Sequence, residues 1–343
     1  MGLDDFWFGL IAALWAGYFV LEGFDFGVGM LLPFLPRSER ERGTMFESIG
    51  PVWDGNEVWL VVAAAATFAA FPAWYGTMFS GFYLALLLIL VLLIIRVVSF
   101  EWREKSDHPR WRAVWQWANT VGSVGAAFVW GVALANLVHG VPLNGDGDFA
   151  GDILDLFSAY TVIAGVSLVA LFALHGATYL TLRTSGALCE RAAGAARRLC
   201  VPVALVVAAV CAWTVAVAVD RNERGALGPA VPAALGIAAL IAAVAFVLTR
   251  RSGWAFVMTA LAAVGWVATV FTGLYPRVLV SYPDFGNSLT LSNASAGHYA
   301  LQVMTVVAAI FTPIVLLYQG WTYHVFRQRL AASETPPPQR STT

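Results

Sequence analysis

Residues 83–100 read YLALLLILVLLIIRVVSF, an almost wholly apolar run in which Arg96 is the single charged residue. Comparable runs recur along the chain, since 59% of its 343 residues are hydrophobic and only 12% are charged. Soluble domains carry roughly 25% charged residues, so this composition excludes an ordinary soluble domain. A membrane helix needs roughly 20 apolar residues, because nothing in the bilayer core can satisfy a bare backbone. The sequence therefore predicts an all-α integral membrane protein.

Nine segments have the length and hydropathy of a membrane-spanning helix. They lie near residues 6–35, 50–72, 76–100, 117–139, 153–182, 199–219, 229–249, 254–275 and 298–326. We expect segments one to four and five to eight to form two four-helix bundles, with the ninth helix peripheral. Residues 1–330 would then be a single polytopic membrane domain. The Pro-rich tail, residues 331–343, is predicted to be disordered.

Positive charges divide unequally between alternate loops. Of the 20 Lys and Arg residues, Arg221, Arg224 and Arg277 lie on one predicted side of the membrane, and Arg96 lies inside a helix. All the others lie on the opposite side. Loops rich in Lys and Arg stay in the cytoplasm. The sequence therefore predicts an N-terminus outside the cell and a C-terminus in the cytoplasm.

Net charge and cysteine content exclude several function classes. The formal net charge is −1, so there is no electrostatic basis for nucleic-acid binding. Cys189, Cys200 and Cys211 form no CxxC motif and are odd in number. Neither a disulfide framework nor a zinc site is therefore expected.

The first predicted helix carries two acidic residues within the run EGFDFGVG, residues 22–29. An ionised residue at mid-bilayer costs roughly 2.5–3.5 kcal/mol on insertion scales, so such residues need a structural or functional reason. Glu22 and Asp25 are three residues apart and share a helix face. Gly23 and Gly27 form a small-xxx-small surface that another helix can approach closely.

The second predicted helix opens with a matching acidic pair in the run GPVWDGNEVWL, residues 50–60. Asp54 and Glu57 also share one helix face. With the predicted orientation, both acidic pairs lie between the cytoplasm and the bilayer centre. Successive carboxylates with intervening water can relay protons, and Asn56 could help to order such water. This arrangement is the one needed for drawing protons inward.

Arg96 allows a structural interpretation of the same acids. It lies in the cytoplasmic half of the third predicted helix and could neutralise Asp25, Asp54 or Glu101 in a buried ion pair. The acids of the first helix would then hold helices in register without moving protons. The residues by themselves leave the relay and the ion pair open.

His175, in the predicted fifth helix, has three interpretations: a haem ligand, a member of a proton relay, or a hydrogen-bonded packing residue. A lone membrane histidine is more often a packing residue. The other four histidines, His108, His139, His298 and His324, lie near the predicted membrane surfaces. None has the depth and pairing that a bis-histidine haem site requires.

The two acidic runs together carry a resemblance to a known family. The runs that begin at Glu22 and at Gly50 resemble the paired signature of subunit II of cytochrome bd-type quinol oxidases. Later landmarks of that family are matched by FSGFY from Phe79, RVVSFE from Arg96, GVALAN from Gly131 and HGATY from His175. The resemblance spans most of the chain, and the predicted helix count agrees with it.

This resemblance implies a role in aerobic respiration at the bacterial cell membrane. The family oxidises quinol on the outer side and reduces dioxygen to water. Its b-type and d-type haems reside in a larger subunit I, so this chain is expected to bind no haem itself and to pack beside that partner as a heterodimer. A small single-helix accessory subunit and a quinone held within this subunit are further possibilities that the family offers.

The resemblance also implies site residues. The aspartate of the WDGN motif, Asp54 here, belongs in that family to a cytoplasmic proton path toward the oxygen-reducing haem. Asp25 matches the family's other acidic landmark, whereas Glu22 replaces an aspartate of some relatives. We expect Asp54, Asp25, Glu57 and Glu22 to transfer protons, and we expect no catalytic, cofactor-binding or metal-ligating residue in this chain.

Two other functions compete with this hypothesis. A proton-coupled secondary transporter would use the Asp25 and Asp54 cluster as its coupling site, and it would show inverted repeats and helices broken at midplane. A pure scaffold would use the acids only to pair with Arg96. An optical spectrum and co-purification of the partner subunit discriminate among these functions.

Overall fold

The computed structural model describes residues 2–222 and 225–331, and these residues are 82% helical. The predicted disordered tail, apart from Ala331, lies outside the described residues. The α-helices are α1 (Leu3–Leu31), α2 (Glu39–Ile49), α3 (Trp53–Ala70), α4 (Pro72–Gly81), α5 (Tyr83–Trp102), α6 (Pro109–His139), α7 (Ala159–Arg183), α8 (Gly186–Asn222), α9 (Leu227–Leu248), α10 (Ser252–Leu274), α11 (Leu291–Ala294) and α12 (His298–Val325). Two short strands, β1 (Arg277–Leu279) and β2 (Leu289–Thr290), pair antiparallel between α10 and α11.

Eight helices in the described ranges are long and apolar enough to cross a membrane: α1, α5, α6, α7, α8, α9, α10 and α12. The predicted second segment corresponds to α3, which does not meet this criterion. Its 18 residues begin with Trp53-Asp54-Gly55-Asn56-Glu57, and these polar residues lower its mean hydropathy. The total of nine spans therefore stays a prediction that depends on α3.

Several boundaries differ from the predicted ones for local reasons. The second segment ends at Phe71, because the following Pro72 pushes this residue out of the helical region. The third is divided between α4 and α5 at Phe82. The fifth helix begins only at Ala159, capped by the Ser158 hydroxyl, which accepts from the Thr161 N–H at 3.2 Å. The sixth is longer than predicted, since α8 continues through the polar, alanine-rich residues 186–198.

Helix α2 was not predicted, because it is polar and too short to span a membrane. It starts at a typical N-cap, where the Ser38 hydroxyl accepts from the Glu41 N–H at 3.2 Å. The Glu41 carboxylate pairs with Arg191 at 2.5 Å. Burial acts to raise the pKa of Glu41, but hydrogen bonds from the Arg37 backbone and from Arg191 lower it more, to below its usual value.

Helix α1 lies at the centre of the fold and contacts α3, α6, α7 and α10. The close approach of α1 to α7 depends on glycine. A Cβ atom at Gly27 would overlap the Phe172 carbonyl oxygen, and one at Gly176 would overlap the backbone of Gly27 and Val28. The predicted small-residue surface on the first helix is therefore the surface on which α7 packs.

The arginine-rich loops meet at one end of the molecule, here called the basic end. Glu39 pairs there with Arg103 and with Arg112. The segment after α12 closes onto the end of α7, where the Leu330 N–H donates to the Arg183 carbonyl at 2.7 Å. The arginine-rich loops that make these contacts therefore lie at the same end of the molecule, as the sequence predicts for loops on one side of the membrane.

The opposite end is closed by the β1–β2 connection. The Val141 N–H donates to the Val280 carbonyl at 3.1 Å. The Tyr275 hydroxyl donates to Asp5 at 3.0 Å, so the start of α1 is fixed at this end.

Helix α12 lies at the periphery, as predicted, because Leu301 is its single buried residue. Near the opposite end, the Trp7 indole donates to the Thr305 hydroxyl at 3.0 Å. The division of the other helices into two four-helix bundles stays a prediction, since α1 and α6 also pack extensively against α7.

Candidate functional site: a buried acidic cluster

A fully buried ion pair joins α1 to α5. Arg96 donates from Nη1 to Glu22 Oε1, and both side chains have 0% exposure. The guanidinium also lies over two aromatic rings, 4.7 Å from the centroid of Phe26 and 5.7 Å from that of Phe100. Cation–π contacts of this kind are worth roughly 0.5–2 kcal/mol. The single charge of the most apolar helix is therefore neutralised inside the protein and does not face lipid.

This pairing corrects the partners that the sequence suggested for Arg96. Its hydrogen-bonded carboxylate is Glu22, and no described contact joins it directly to Asp25, Asp54 or Glu101. Residues three apart on a helix differ by roughly 60° in direction, since each residue turns the helix by roughly 100°. Glu22 therefore points at α5 while Asp25 points toward α3.

Asp25 is also fully buried, and its partner is the amide of Asn56. Asn56 Nδ2 donates to Asp25 Oδ2 at 2.6 Å and to the Leu21 carbonyl at 3.2 Å. Asn56 Oδ1 accepts from the Tyr323 hydroxyl at 2.7 Å and from Gln319 Nε2 at 3.1 Å. One amide of α3 thus links the centre of α1 to the peripheral helix α12.

At the start of α3, each residue of the run Trp53-Asp54-Gly55-Asn56 has its own surroundings. The Trp53 ring stacks on Phe100, with centroids 5.3 Å apart and an interplanar angle of 6°. Gly55 lets α12 approach, because a Cβ atom there would lie 3.2 Å from Gln319 Oε1. Asn56 enters the core, whereas Asp54 stays exposed on the surface of this chain.

The four predicted acids form a series from surface to core. Asp54 is exposed, Glu57 one turn further on is half-buried, and Asp25 and Glu22 are fully buried. Arg96 interacts electrostatically with Glu22, Asp25 and Glu57. Three carboxyl groups therefore share one guanidinium. The remaining negative charge has to be met by protons, by water or by a neighbouring chain.

The structure places His175 away from this series, between α1, α7 and α10. Its Nδ1 lies 2.7 Å from the Thr259 hydroxyl and its Nε2 lies 3.1 Å from the Val20 carbonyl. Its ring stacks on Phe256 with a centroid distance of 4.6 Å and an interplanar angle of 7°. With both ring nitrogens in hydrogen bonds, this geometry favours the packing role among the three interpretations.

A cavity of about 610 Å³ lies between α1, α3, α4, α5 and α6 and is lined almost entirely by apolar side chains. The indole N–H groups of Trp74 and Trp130, which line it, are buried without a hydrogen-bond partner in the described parts of the chain. Such a site can hold an apolar ring system with a polar substituent. Within residues 2–222 and 225–331, no group of three or more His, Cys, Asp or Glu side chains is arranged to hold a metal ion.

Sequence reasoning missed Gln319 and Tyr323. They lie 263 and 267 residues from Asn56. They are four residues apart and share a helix face, but the ninth segment holds other polar residues, among them Gln302, Thr305 and Thr312. Spacing alone therefore did not single them out.

Fold and site together define a multi-pass helical membrane protein with a buried cluster of ionisable groups. The chain belongs to the cytochrome bd terminal oxidase subunit II family, whose sequence model matches residues 3–326. This confirms the resemblance given by the two acidic runs. It also makes the chain a multi-pass protein of the bacterial plasma membrane.

Relatives of known name match nearly the whole chain. The chain is 40% identical to the cytochrome bd ubiquinol oxidase subunit 2 of Bacillus subtilis (strain 168), over 97% of this chain and 98% of that one. It is 35% identical to the cytochrome bd-I ubiquinol oxidase subunit 2 of Escherichia coli (strain K12), over 92% of each. A chain of the bd oxidase from Geobacillus thermodenitrificans shares the fold, with a TM-score of 0.76 at 18% identity over 95% of this chain and 99% of that one.

Proposed function

We propose that this chain is the haem-free subunit of a quinol:dioxygen oxidoreductase and that it provides a path for protons from the cytoplasm. The relatives in Bacillus subtilis and Escherichia coli are named as subunits of ubiquinol oxidases, which supports a quinol as the electron donor. The b-type and d-type haems would lie in a partner subunit. This chain would support that subunit and deliver protons to it.

The series of acids supports this role more than any other feature. Asp25 is fully buried and accepts a hydrogen bond from Asn56, and it lies behind the half-buried Glu57 and the exposed Asp54. An acid with no function is costly at such depth, by roughly 2.5–3.5 kcal/mol. Because the basic end gathers the arginine-rich loops, the positive-inside rule places it in the cytoplasm. The series would then open toward cytoplasmic water.

Polar atoms without protein partners support a role in proton transfer. Glu22 Oε2, Asp25 Oδ1, Arg96 Nε and Arg96 Nη2 are buried and have no hydrogen-bond partner within the described residues. Buried polar atoms are normally satisfied by protein or by ordered water. These atoms can therefore order water between the carboxyl groups, and a carboxyl–water chain is the medium for proton relay.

The chemistry of the complex explains why such a path is needed. Reduction of dioxygen to two molecules of water consumes four protons, whereas oxidation of quinol releases protons. A membrane potential builds up when the protons for dioxygen reduction are taken from the cytoplasm and the protons from quinol oxidation are released outside. A carboxylate series in the cytoplasmic half would serve the uptake side.

The exposed face of α3 is the surface on which we place the partner. Asp54, Val58, Val61 and Phe68 are all exposed, and their spacings of four, three and seven residues put them on one face of the helix. An aspartate at the edge of an apolar membrane face is unfavourable in lipid. Burial of this face against the haem-bearing subunit would shield Asp54 and bring it next to the subunit that consumes protons. The exposed apolar side chains of α5 and α12 would extend the same interface; they include Leu84, Leu88, Val91, Ile310, Ile314 and Leu317.

Substitution of Asp54 in the assembled oxidase tests the proposal. The complex is purified from membranes, its partner is identified, and haem content and oxygen consumption are measured for Asp54→Asn and Asp25→Asn. We expect an assembled, haem-loaded complex with much slower turnover. Glu47→Gln is the matched control, because Glu47 is an exposed acid at the same end of the molecule.

The scaffold alternative predicts the reverse result. Oxygen consumption close to that of the parent, together with weaker assembly, would show that Asp54 and Asp25 have only structural roles. A haem Soret band in the separated subunit would contradict the haem-free assignment. The transporter alternative gains no support, since the chain belongs to an oxidase family along nearly its whole length.

A further inference from the structure

We propose that Gln319 and Tyr323 of α12 are positioning residues, which fix the side-chain amide of Asn56 so that it holds the Asp25 carboxyl group in one orientation. This inference rests on the proposed proton path and adds to it two residues from the other end of the sequence. Neither lies in the two acidic runs that identify the family.

Counting donors and acceptors shows how two residues on α12 hold the oxygen end of the Asn56 amide. A side-chain amide has two N–H donors and an oxygen with two lone pairs. The Nδ2 group of Asn56 uses its donors on Asp25 Oδ2 and on the Leu21 carbonyl, and the latter can only accept. The oxygen receives the Tyr323 hydroxyl at 2.7 Å and Gln319 Nε2 at 3.1 Å. All four hydrogen-bonding positions are used, and in the reverse orientation the amide oxygen would face the Leu21 carbonyl, which cannot donate.

The surroundings of Tyr323 and Gln319 restrict them to this role. The Tyr323 ring packs edge-on against Phe24, with centroids 6.4 Å apart and an interplanar angle of 76°. Gln319 lies over Gly55, where an added Cβ atom would sit 3.2 Å from Gln319 Oε1. Both side chains are half-buried in this chain.

Few other contacts hold α12 at this level. Its single buried residue, Leu301, lies near the opposite end, and just beyond the helix Gln328, Arg329 and Leu330 are hydrogen-bonded to the end of α7. In the half of α12 nearer the basic end, the hydrogen bonds to Asn56 are therefore the main polar link to the core. If α12 moved outward, the amide would be free to rotate, and Asp25 would lose its orienting donor.

The consequence for function is that Asp25 transfers protons efficiently only when α12 is in place. Proton transfer requires a donor and an acceptor within hydrogen-bond reach, at roughly 2.6–3.2 Å. A carboxyl group that rotates freely meets this condition for a smaller part of the time. Loss of the Tyr323 hydroxyl should therefore slow turnover without changing quinol binding.

The test uses the purified oxidase complex with Tyr323→Phe and with Tyr323→Phe/Gln319→Leu. The carboxyl stretching band of Asp25 is identified by infrared difference spectroscopy as the band that disappears in Asp25→Asn. We expect this band to shift in Tyr323→Phe and to shift further in the double variant. We expect turnover to fall roughly 2- to 12-fold per hydrogen bond lost, at unchanged KM for quinol and unchanged haem content.

Tyr299→Phe is the control, because it makes the same change in the same helix at an exposed position near the opposite end. Its band position and turnover should match those of the parent. Restoring a donor with Gln319→Asn, in place of Gln319→Leu, should recover part of the band shift.

The position of the Asp25 carboxyl band distinguishes a failure of the positioning role from a failure of the proton path. An Asp25 band that stays in place in the double variant overturns the positioning role, whatever the turnover. A shifted band with parental turnover, while Asp25→Asn is slow, also overturns it, because orientation would then not limit transfer. If Asp25→Asn itself turns over at the parental rate, the proton path fails, and a shifted band still supports the positioning of Asp25.

Discussion

Removal of the buried guanidinium is the sharpest test of how the core of this membrane protein is held together. Arg96→Met keeps roughly the volume of the side chain but leaves the Glu22 carboxyl group buried without its partner. Glu22→Gln leaves the guanidinium without its hydrogen-bonded carboxylate. The double variant Glu22→Gln/Arg96→Met removes both charges and leaves an uncharged contact between α1 and α5.

The expected magnitudes follow from the full burial of both side chains. Breaking one side of a buried ion pair costs about 3–5 kcal/mol, whereas replacing both sides with uncharged residues is often neutral. Arg96→Met also loses the cation–π contacts with Phe26 and Phe100, worth roughly 0.5–2 kcal/mol. A loss of about 3–5 kcal/mol corresponds to a change of roughly 150- to 5,000-fold in the ratio of folded to unfolded protein.

Unfolding of each variant complex in graded denaturing detergent, followed by tryptophan fluorescence, measures these differences. We expect each single variant to unfold at a clearly lower detergent fraction and the double variant to regain most of the difference. A double variant that is as unstable as the sum of the two single losses would show that Glu22 and Arg96 are not coupled, and the structural role of the pair would be refuted.

Two further predictions concern packing and the lone core histidine. Gly27→Ala should destabilise the complex by about 1–3 kcal/mol or more, because the added methyl group meets the Phe172 carbonyl oxygen. Gly9→Ala is the control, because a methyl group at that position of the same helix has open space and should be neutral. Equal thermal midpoints for the two variants would contradict the glycine contact. His175→Gln should lower the thermal midpoint, because it removes the stacking on Phe256 and the contact with Thr259. The haem absorption bands of the complex should stay unchanged. Selective loss of one haem band in a folded variant would instead show that His175 is a haem ligand.

The membrane class and most of the helices could be predicted because the physics that sets them is local. Apolar runs such as residues 83–100 must form helices wherever lipid surrounds them. The small-residue surface at Gly27 could be found for the same reason, since its pattern lies within one helix. Helix α2 could not be found by hydropathy, because its stability comes from a polar cap at Ser38 and from ion pairs across loops.

The partners inside the cluster could not be predicted, because they depend on which helices are neighbours. A spacing of three placed Glu22 and Asp25 on one broad face, but the remaining angle of roughly 60° between them sends one to α5 and the other to α3. The links from Asn56 to Gln319 and Tyr323 span more than 260 residues and have no local signature in the acidic runs.

The structure distinguishes Glu22 from the other three acids, for all of which the sequence left the ion pair and the proton relay open. Glu22 is the acid that pairs with Arg96, so the ion pair accounts for its burial. Asp25 has a neutral amide as its hydrogen-bond partner, and Glu57 and Asp54 form no ion pair with a described Lys or Arg residue. A hydrogen-bonded ion pair therefore accounts for one acid of the four, whereas Asp25 and Glu57 interact with the Arg96 guanidinium without a hydrogen bond and Asp54 is exposed. Under the proposed function, a moving proton is the charge partner that these three share. Substitutions at Arg96 should accordingly act mainly on stability, and substitutions at Asp54 mainly on turnover.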